Sequence, residues 1–67
     1  MFTVDASKIR TLMFAKGIGI YELARQAQLN ATTTAKTLKD GAKVSAKTIA
    51  TLAKFFGVSG EDLILKG

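Results

Sequence analysis

The stretch Asn30 to Gly41, NATTTAKTLKDG, combines hydroxyl side chains with lysines. Threonine is a mediocre helix former because its branched Cβ crowds the preceding turn, yet three threonines occur here in a row. Asn30 is a good N-cap, which would place Thr32 and Thr33 in the first turn of a helix. There, their hydroxyls can donate to a phosphate or a base, and free backbone N–H groups attract phosphate. The alternative is that these threonines only form a solvated surface.

Positive charge follows the threonines along the chain. Lys36 and Lys39 lie three residues apart and therefore share a helix face. Residues 30 to 60 carry five cations against a single acid, Asp40, whereas an ordinary solvated face is more mixed in sign. The five cations are Lys36, Lys39, Lys43, Lys47 and Lys54. We expect the first four to contact phosphates or bases, and Lys54 to be merely solvated.

The composition excludes most other functions. The 67-residue chain has a net charge of +5, which indicates an anionic partner. It contains no cysteine and no histidine, and so lacks a thiol nucleophile, a cysteine-based zinc site and the usual general base. The carboxylates are scattered, and the neighbours Glu61 and Asp62 are typical of a helix cap. We therefore expect no enzyme, no metal, no cofactor and no small-molecule ligand.

Length and hydropathy give the remaining expectations for the whole chain. Sixty-seven residues predict one domain, residues 1–67. No apolar run approaches the roughly 20 residues needed to span a membrane. The start, MFTVDASK, lacks the pattern of a signal peptide. A cytoplasmic protein with no membrane partner is expected.

The chain divides into five predicted helices at the capping residues Asp5, Asn30, Ser45 and Ser59 and at the helix-ending glycines Gly17, Gly41 and Gly57. Apolar residues at helical spacing place them at residues 5–16, 20–28, about 31–39, 45–56 and 59–65. The fifth rests on Ser59 and Asp62, which have the spacing of a capping box. Phe2 to Val4 are either a ragged terminus or a short strand. The predicted fold class is all-α.

Helices 2 and 3 are joined by a very short turn around residues 28–30. Two helices joined in this way must cross at a steep angle, which suits a helix-turn-helix over about residues 20–39. In that unit the first helix braces against the backbone of DNA, and the second enters the major groove by its N-terminal end.

Residues 18–65 resemble the Cro/C1-type helix-turn-helix domains of phage repressors and many small bacterial regulators. The most diagnostic pieces are YELARQAQL and KTIATLAKFFGVSGEDL. The resemblance implies a compact five-helix, lambda repressor-like domain. It also implies a homodimer that binds double-stranded DNA at a near-palindromic operator.

The resemblance assigns roles to the matching positions. The family's core positions fall on Leu23, Ala24, Ala27 and Leu29. Its base-reading positions fall on Asn30, Ala31, Thr32, Ala35 and Lys36. Thr33 is added as a candidate base contact because of its hydroxyl in the same turn. Lys43 falls in the loop where the family often grips phosphate.

Two departures concern helix 2 and the turn after it. Gln28 stands where the family commonly has the turn glycine, which predicts a less tight turn. Ile20 stands where the family often has a glutamine that holds a phosphate. The hydroxyl of Tyr21 is the candidate replacement, and the alternative for Tyr21 is packing beside helix 1.

A third departure leaves the rotation of helix 3 open. Thr34 and Thr37 stand where the family buries Ile or Val. Either these threonines bury their methyl groups, or the helix is rotated so that Ala35 and Leu38 face the core. In the second case Ala35 cannot read bases.

Three phenylalanines lie at helical spacing with the aliphatic residues, which assigns Phe14 and Phe56 to the core. Phe55 is the exception, because Phe56 already continues the apolar stripe of helix 4. A large aromatic side chain that lies partly outside the core suggests a subunit contact. Together with Val58 and Leu65, Phe55 could form a small isologous interface. The alternative is a partly exposed core phenylalanine.

Together these features predict a sequence-specific DNA-binding transcriptional regulator, by default a repressor that blocks polymerase. The rival is a helix-turn-helix used as a protein-binding module, such as an antirepressor or a modulator of a partner repressor. Ile20 and Phe55 favour a protein-binding module, whereas a surface on which positive charges predominate favours DNA. An enzyme is a remote third reading, since histidine and cysteine are absent.

Overall fold

The computed structural model describes residues 1–65 and shows four α-helices and a pair of short strands within them. The helices are α1 (Ala6–Lys16), α2 (Ile20–Ala27), α3 (Ala31–Lys36) and α4 (Ala46–Phe56). The strands are β1 (Phe2–Thr3) and β2 (Lys43–Val44), which pair antiparallel. A 3₁₀ turn, Gly60–Leu63, follows α4. The mostly helical architecture is confirmed, but the expectation of an all-α domain missed the strands.

The predicted fifth helix is wrong. Ser59 does cap the segment, but its hydroxyl accepts from the N–H of Glu61 at 3.3 Å rather than from that of Asp62. The result is a single 3₁₀ turn, because Ile64 has extended backbone and pairs with Val4. This pairing with the start of the chain satisfies backbone groups that a longer helix would have bonded internally.

The boundaries of α1 and α4 follow from local capping, as the sequence predicts. The carboxylate of Asp5 accepts from the N–H of Lys8 at the start of α1, and Ser45 caps α4. Gly17 and Gly57 end these helices with φ values of 69° and 72°. Glycine adopts this left-handed conformation without the clash that a Cβ would introduce.

The core is one cluster to which every α-helix except α3 contributes fully buried or nearly buried apolar side chains. Its members are Val4, Ile9, Met13, Leu23, Ala27, Val44, Ile49, Leu52, Ala53 and Leu63. The inward positions predicted for α2 are confirmed, since Ala24 is also buried. The assignment of Phe14 to the core is wrong, because its side chain is 88% exposed. Ile9 and Met13 already occupy the inner face of α1, and the next residue along a helix points away from that face.

β1 lies between two partners and ties both ends of the chain together. On one side Phe2 lies opposite Val44 in β2. On the other side the N–H of Leu65 donates to the carbonyl of Thr3 at 2.9 Å. Directly after β1, the N–H of Val4 donates to the carbonyl of Ala42 at 2.8 Å, so the N-terminal segment also holds the loop that leads into β2.

Candidate nucleic-acid interface

Gln28 makes the turn between α2 and α3. It has φ 58° and ψ 41°, and it is the one non-glycine residue with positive φ in the described part of the chain. The N–H of Leu29 donates to the carbonyl of Ala24 at 2.9 Å and closes the end of α2. Gln28 therefore adopts the left-handed conformation that a glycine takes at such a turn. The turn is tight in spite of the missing glycine, at a strain cost of about 1 kcal/mol.

The buried threonines decide the rotation of α3. Thr34 and Thr37 are both fully buried. Their hydroxyls donate to backbone carbonyls, Thr34 to Asn30 at 2.9 Å and Thr37 to Thr34 at 2.6 Å. The first alternative is therefore the one observed: the methyl groups face the core, and Ala35 remains half-exposed on the outer side.

α3 is shorter than predicted and ends at Lys36 rather than near residue 39. Thr37 ends the helix, and turns follow in which the N–H of Leu38 donates to the carbonyl of Ala35 at 3.1 Å and the N–H of Lys39 donates to that of Lys36 at 3.2 Å. Hydroxyls that bond to carbonyls of the preceding turn weaken a helix, which explains the early end. Lys39 therefore lies in the loop after α3 and not on the helix.

Asn30 caps α3 as predicted. Its side-chain oxygen accepts from the N–H of Thr33 at 2.6 Å. Because that oxygen is occupied, the exposed side-chain amide is left as a donor of two hydrogen bonds. Asn30 can therefore donate to a base or a phosphate while its oxygen caps α3.

Two shallow depressions meet at Lys36. The first, with a volume of about 190 Å³, is lined by Met1, Thr33, Lys36, Lys43, Val44, Ser45 and Thr48. The second is lined by Thr32, Ala35, Lys36 and Lys39. The structure thus brings α3, the loop after it, β2 and the start of α4 onto one surface of lysines and hydroxyls. We call this surface the α3 face.

Ser45 and Thr48 are the site residues that sequence reasoning missed. Ser45 caps α4, and its oxygen lies 3.3 Å from the N–H of Thr48 and 3.2 Å from the hydroxyl of Thr48. The sequence predicted Ser45 as the N-cap of a helix, but it did not indicate that Ser45 and Thr48 belong to the site. Its proximity to Thr33 and Lys36 depends on the fold.

Tyr21 and Lys47 lie at the starts of helices outside the two depressions. Tyr21 is in the first turn of α2 with 78% of its surface exposed, and Lys47 is exposed in the first turn of α4. Exposure leaves Tyr21 free to meet a ligand and does not support its packing beside α1. Asn30 and Ala31 are also exposed, at the start of α3.

The acid nearest Tyr21 is engaged within its own helix. The amide of Gln26 donates to the carboxylate of Glu22 at 2.6 Å, and Arg25 forms an ion pair with the same oxygen. The hydrogen bond from Gln26 and the positive charge of Arg25 lower the pKa of Glu22, against the opposing effect of desolvation. Glu22 is therefore ionised at neutral pH, and the positive charge of Arg25 partly balances its negative charge.

The three residues predicted for a subunit contact lie in different surroundings. Phe55 is half-buried, with the ring of Phe56 at 5.1 Å in an edge arrangement and the ammonium of Lys16 at 5.1 Å over its face. Val58 is half-buried beside the core. Leu65 is 52% exposed and lies next to β1. The subunit contact stays a prediction.

Comparison with known proteins identifies the family. The family model for the Cro/C1-type HTH DNA-binding domain matches residues 8–65, from α1 to the segment after the 3₁₀ turn. The chain belongs to this family. The resemblance inferred from the sequence is thereby confirmed, and the family is one of DNA-binding domains rather than of enzymes. No curated protein and no solved structure matches the chain.

None of the helices within residues 1–65 combines the length and the apolar character that crossing a membrane requires.

Proposed function

We propose that this protein is a sequence-specific transcriptional regulator, acting as a repressor, that inserts α3 into the major groove of an operator. The observation that carries the proposal is the α3 face itself. Thr33 and Lys36 of α3 and Lys43 of β2 border one depression. Ammonium groups and hydroxyls around a shallow, exposed surface suit the anionic oxygens of a DNA backbone.

The proposed contacts divide by what they touch. Base contacts come from Asn30, Ala31, Thr32, Thr33 and Lys36. Phosphate contacts come from Tyr21, Lys39, Lys43 and Lys47. Ser45 and Thr48 add two hydroxyls next to Lys43 for the phosphate group on that side. The side-chain amide of Asn30 donates to DNA while its oxygen caps α3.

Two copies of the chain are proposed to bind one operator. A homodimer that uses Phe55, Val58 and Leu65 would place its two copies of α3 about 34 Å apart, one turn of the duplex. Repression follows from the occupied operator, which blocks polymerase.

The first test is the salt dependence of binding to random-sequence duplex DNA, measured by fluorescence anisotropy at roughly 50 and 200 mM salt. Wild type is compared with Lys36→Ala and with Lys54→Ala. Lys54 is the matched control, because it is exposed on α4 beside Gln26 and Phe55 and borders neither depression of the α3 face. Lys36→Ala is expected to flatten the slope of log affinity against log salt by about 0.9, and Lys54→Ala to leave it unchanged.

Wild-type binding at both salts would justify selection of an operator from a random library. Absence of binding at both salts, or equal slopes for Lys36→Ala and Lys54→Ala, would contradict the proposal. The protein-binding alternative is weakened at Ile20, which packs against the core. Phe55 is half-buried and suits either a protein partner or the proposed homodimer.

A further inference from the structure

Arg10 of α1 reaches across the fold to the loop that follows α3. Its Nη1 donates to the carbonyl oxygen of Leu38 at 2.7 Å. Its Nη2 lies 3.6 Å from a carboxylate oxygen of Asp40. One guanidinium therefore binds two groups of the same short segment, from a helix that is not part of the helix-turn-helix.

The segment held by Arg10 has no regular structure of its own. Residues 37–42 form consecutive turns, in which the N–H of Lys39 donates to Lys36 and the N–H of Ala42 donates to Lys39, at 3.2 and 3.1 Å. At its far end the carbonyl of Ala42 accepts from Val4 of the N-terminal segment. Arg10 holds the segment between its two ends, at Leu38 and Asp40. A cation at the carbonyl end of α3 also has a favourable interaction with the helix dipole.

The negative charge of Asp40 opposes the binding of phosphate to the proposed contact surface. It is the only acid between residues 30 and 60, and in sequence it lies between Lys39 and Lys43. Its side chain is 87% exposed, so that its charge would repel a DNA backbone. The guanidinium of Arg10 offsets that charge. Exposed ion pairs contribute little to folding stability, which makes an effect on folding alone a weak explanation for this contact.

We propose that Arg10 is a positioning residue for DNA binding. It holds the loop after α3 in the shape that presents Lys39 and Lys43, and it neutralises Asp40 next to the phosphates. This inference rests on the proposed DNA-binding function and goes beyond it, because it extends the determinants of binding to α1.

The test uses the full chain and two independent readouts. Hydrogen exchange without DNA measures the amides of Lys39 and Ala42, and anisotropy at roughly 50 mM salt measures affinity for random duplex DNA. Arg10→Met keeps much of the length of the side chain and removes its charge. Lys8→Met is the matched control, because it removes one positive charge from an exposed position on the same helix.

Arg10→Met is expected to raise exchange at Lys39 and Ala42 about five- to tenfold and to weaken DNA binding by about tenfold, with little change in Tm. Lys8→Met is expected to leave exchange unchanged and to weaken binding by no more than about threefold. Asp40→Asn is expected to strengthen binding, and to do so more in the Arg10→Met background than in wild type. A merely structural role for Arg10 would not produce that last result.

Two outcomes would overturn the inference while the proposed function stands. The first is unchanged exchange in Arg10→Met, and the second is an equal loss of affinity in Arg10→Met and Lys8→Met. If wild type fails to bind duplex DNA, the proposed function fails, and the role of Arg10 in DNA binding fails with it. In that case the exchange rates still decide whether Arg10 holds the loop.

Discussion

Asn30 combines a structural role with a proposed contact, and substitutions can separate the two. Its oxygen caps α3, while its amide is left to donate to DNA. Asn30→Asp keeps the cap but removes both donors and adds a charge that repels phosphate. Asn30→Ala removes the cap as well, at a cost of about 1 kcal/mol.

Thermal unfolding should therefore show Asn30→Asp near wild type and Asn30→Ala lower in Tm by about 4–8 °C. Both variants should bind duplex DNA more weakly than wild type. If Asn30→Asp binds as tightly as wild type, Asn30 has no contact with DNA.

Glu22 makes stability depend on pH in a predictable direction. Its pKa is lowered below the ordinary value near 4.5, first by the hydrogen bond from Gln26 and then by Arg25. A lowered folded-state pKa gives a stabilising contribution that is present above the unfolded pKa. That contribution is lost as the pH falls through the folded pKa.

Glu22→Gln should therefore lower Tm slightly at about pH 7, and by less at about pH 3, because the contribution of the ionised carboxylate decreases as the pH falls towards the lowered pKa of Glu22. Circular dichroism melts at the two pH values measure this. A difference in Tm that is equal at both values would rule out the ionised carboxylate as its cause.

At the scale of the elements, the features that sequence predicts well are those decided within one helical turn. Asp5, Asn30 and Ser45 are caps in the structure as predicted, and Gly17 and Gly57 end their helices. Each of these depends on a side chain and a backbone group a few residues away. The rotation of α3 was not decided in this way, because Thr34 and Ala35 both suit a partly buried position.

The features that sequence missed depend on residues far apart in the chain. The pairing of Val4 with Ile64 converts the predicted fifth helix into a 3₁₀ turn, and the pairing of Phe2 with Val44 forms the strands. In the site, Ser45, Thr48 and Arg10 were missed for the same reason. Their proximity to α3 and its loop follows from tertiary packing, and no local pattern encodes it.

The left-handed Gln28 gives a prediction about the turn between α2 and α3. Its φ of 58° costs a non-glycine residue roughly 1 kcal/mol, while glycine at this position loses about 0.5 kcal/mol more chain entropy on folding. Gln28→Gly should therefore stabilise the protein by about 0.5 kcal/mol and raise Tm by about 2–4 °C. Gln28→Ala is the control, because alanine keeps the strain and should leave Tm unchanged. A lower Tm for Gln28→Gly would show that the glutamine is not strained.

At the scale of the molecule, the N-terminal segment links overall stability to the candidate site. Val4 is fully buried, and its backbone bonds hold Ala42 at the end of the loop. A 67-residue chain has only a few kcal/mol of stability, so one core side chain is a large share of the total.

Val4→Ala should destabilise the protein by about 2 kcal/mol and lower Tm by about 10 °C. Leu65→Ala is the control at a half-exposed position next to the same strand, and its effect should stay within about 0.5 kcal/mol. Equal losses for the two variants in thermal melts would contradict the central position of Val4 in the N-terminal segment.

The most direct measurement of the central claim is a ¹H–¹⁵N NMR titration of the labelled chain with a short random duplex. We predict that amide shifts change on the α3 face, at residues 30–36, at Lys39 and at residues 43–48, and also at Tyr21. Shifts near Phe14 and in the 3₁₀ turn should stay constant, because those residues lie outside the proposed contact surface. Shift changes centred on Phe14 or on the 3₁₀ turn, or no changes at all, would contradict the account.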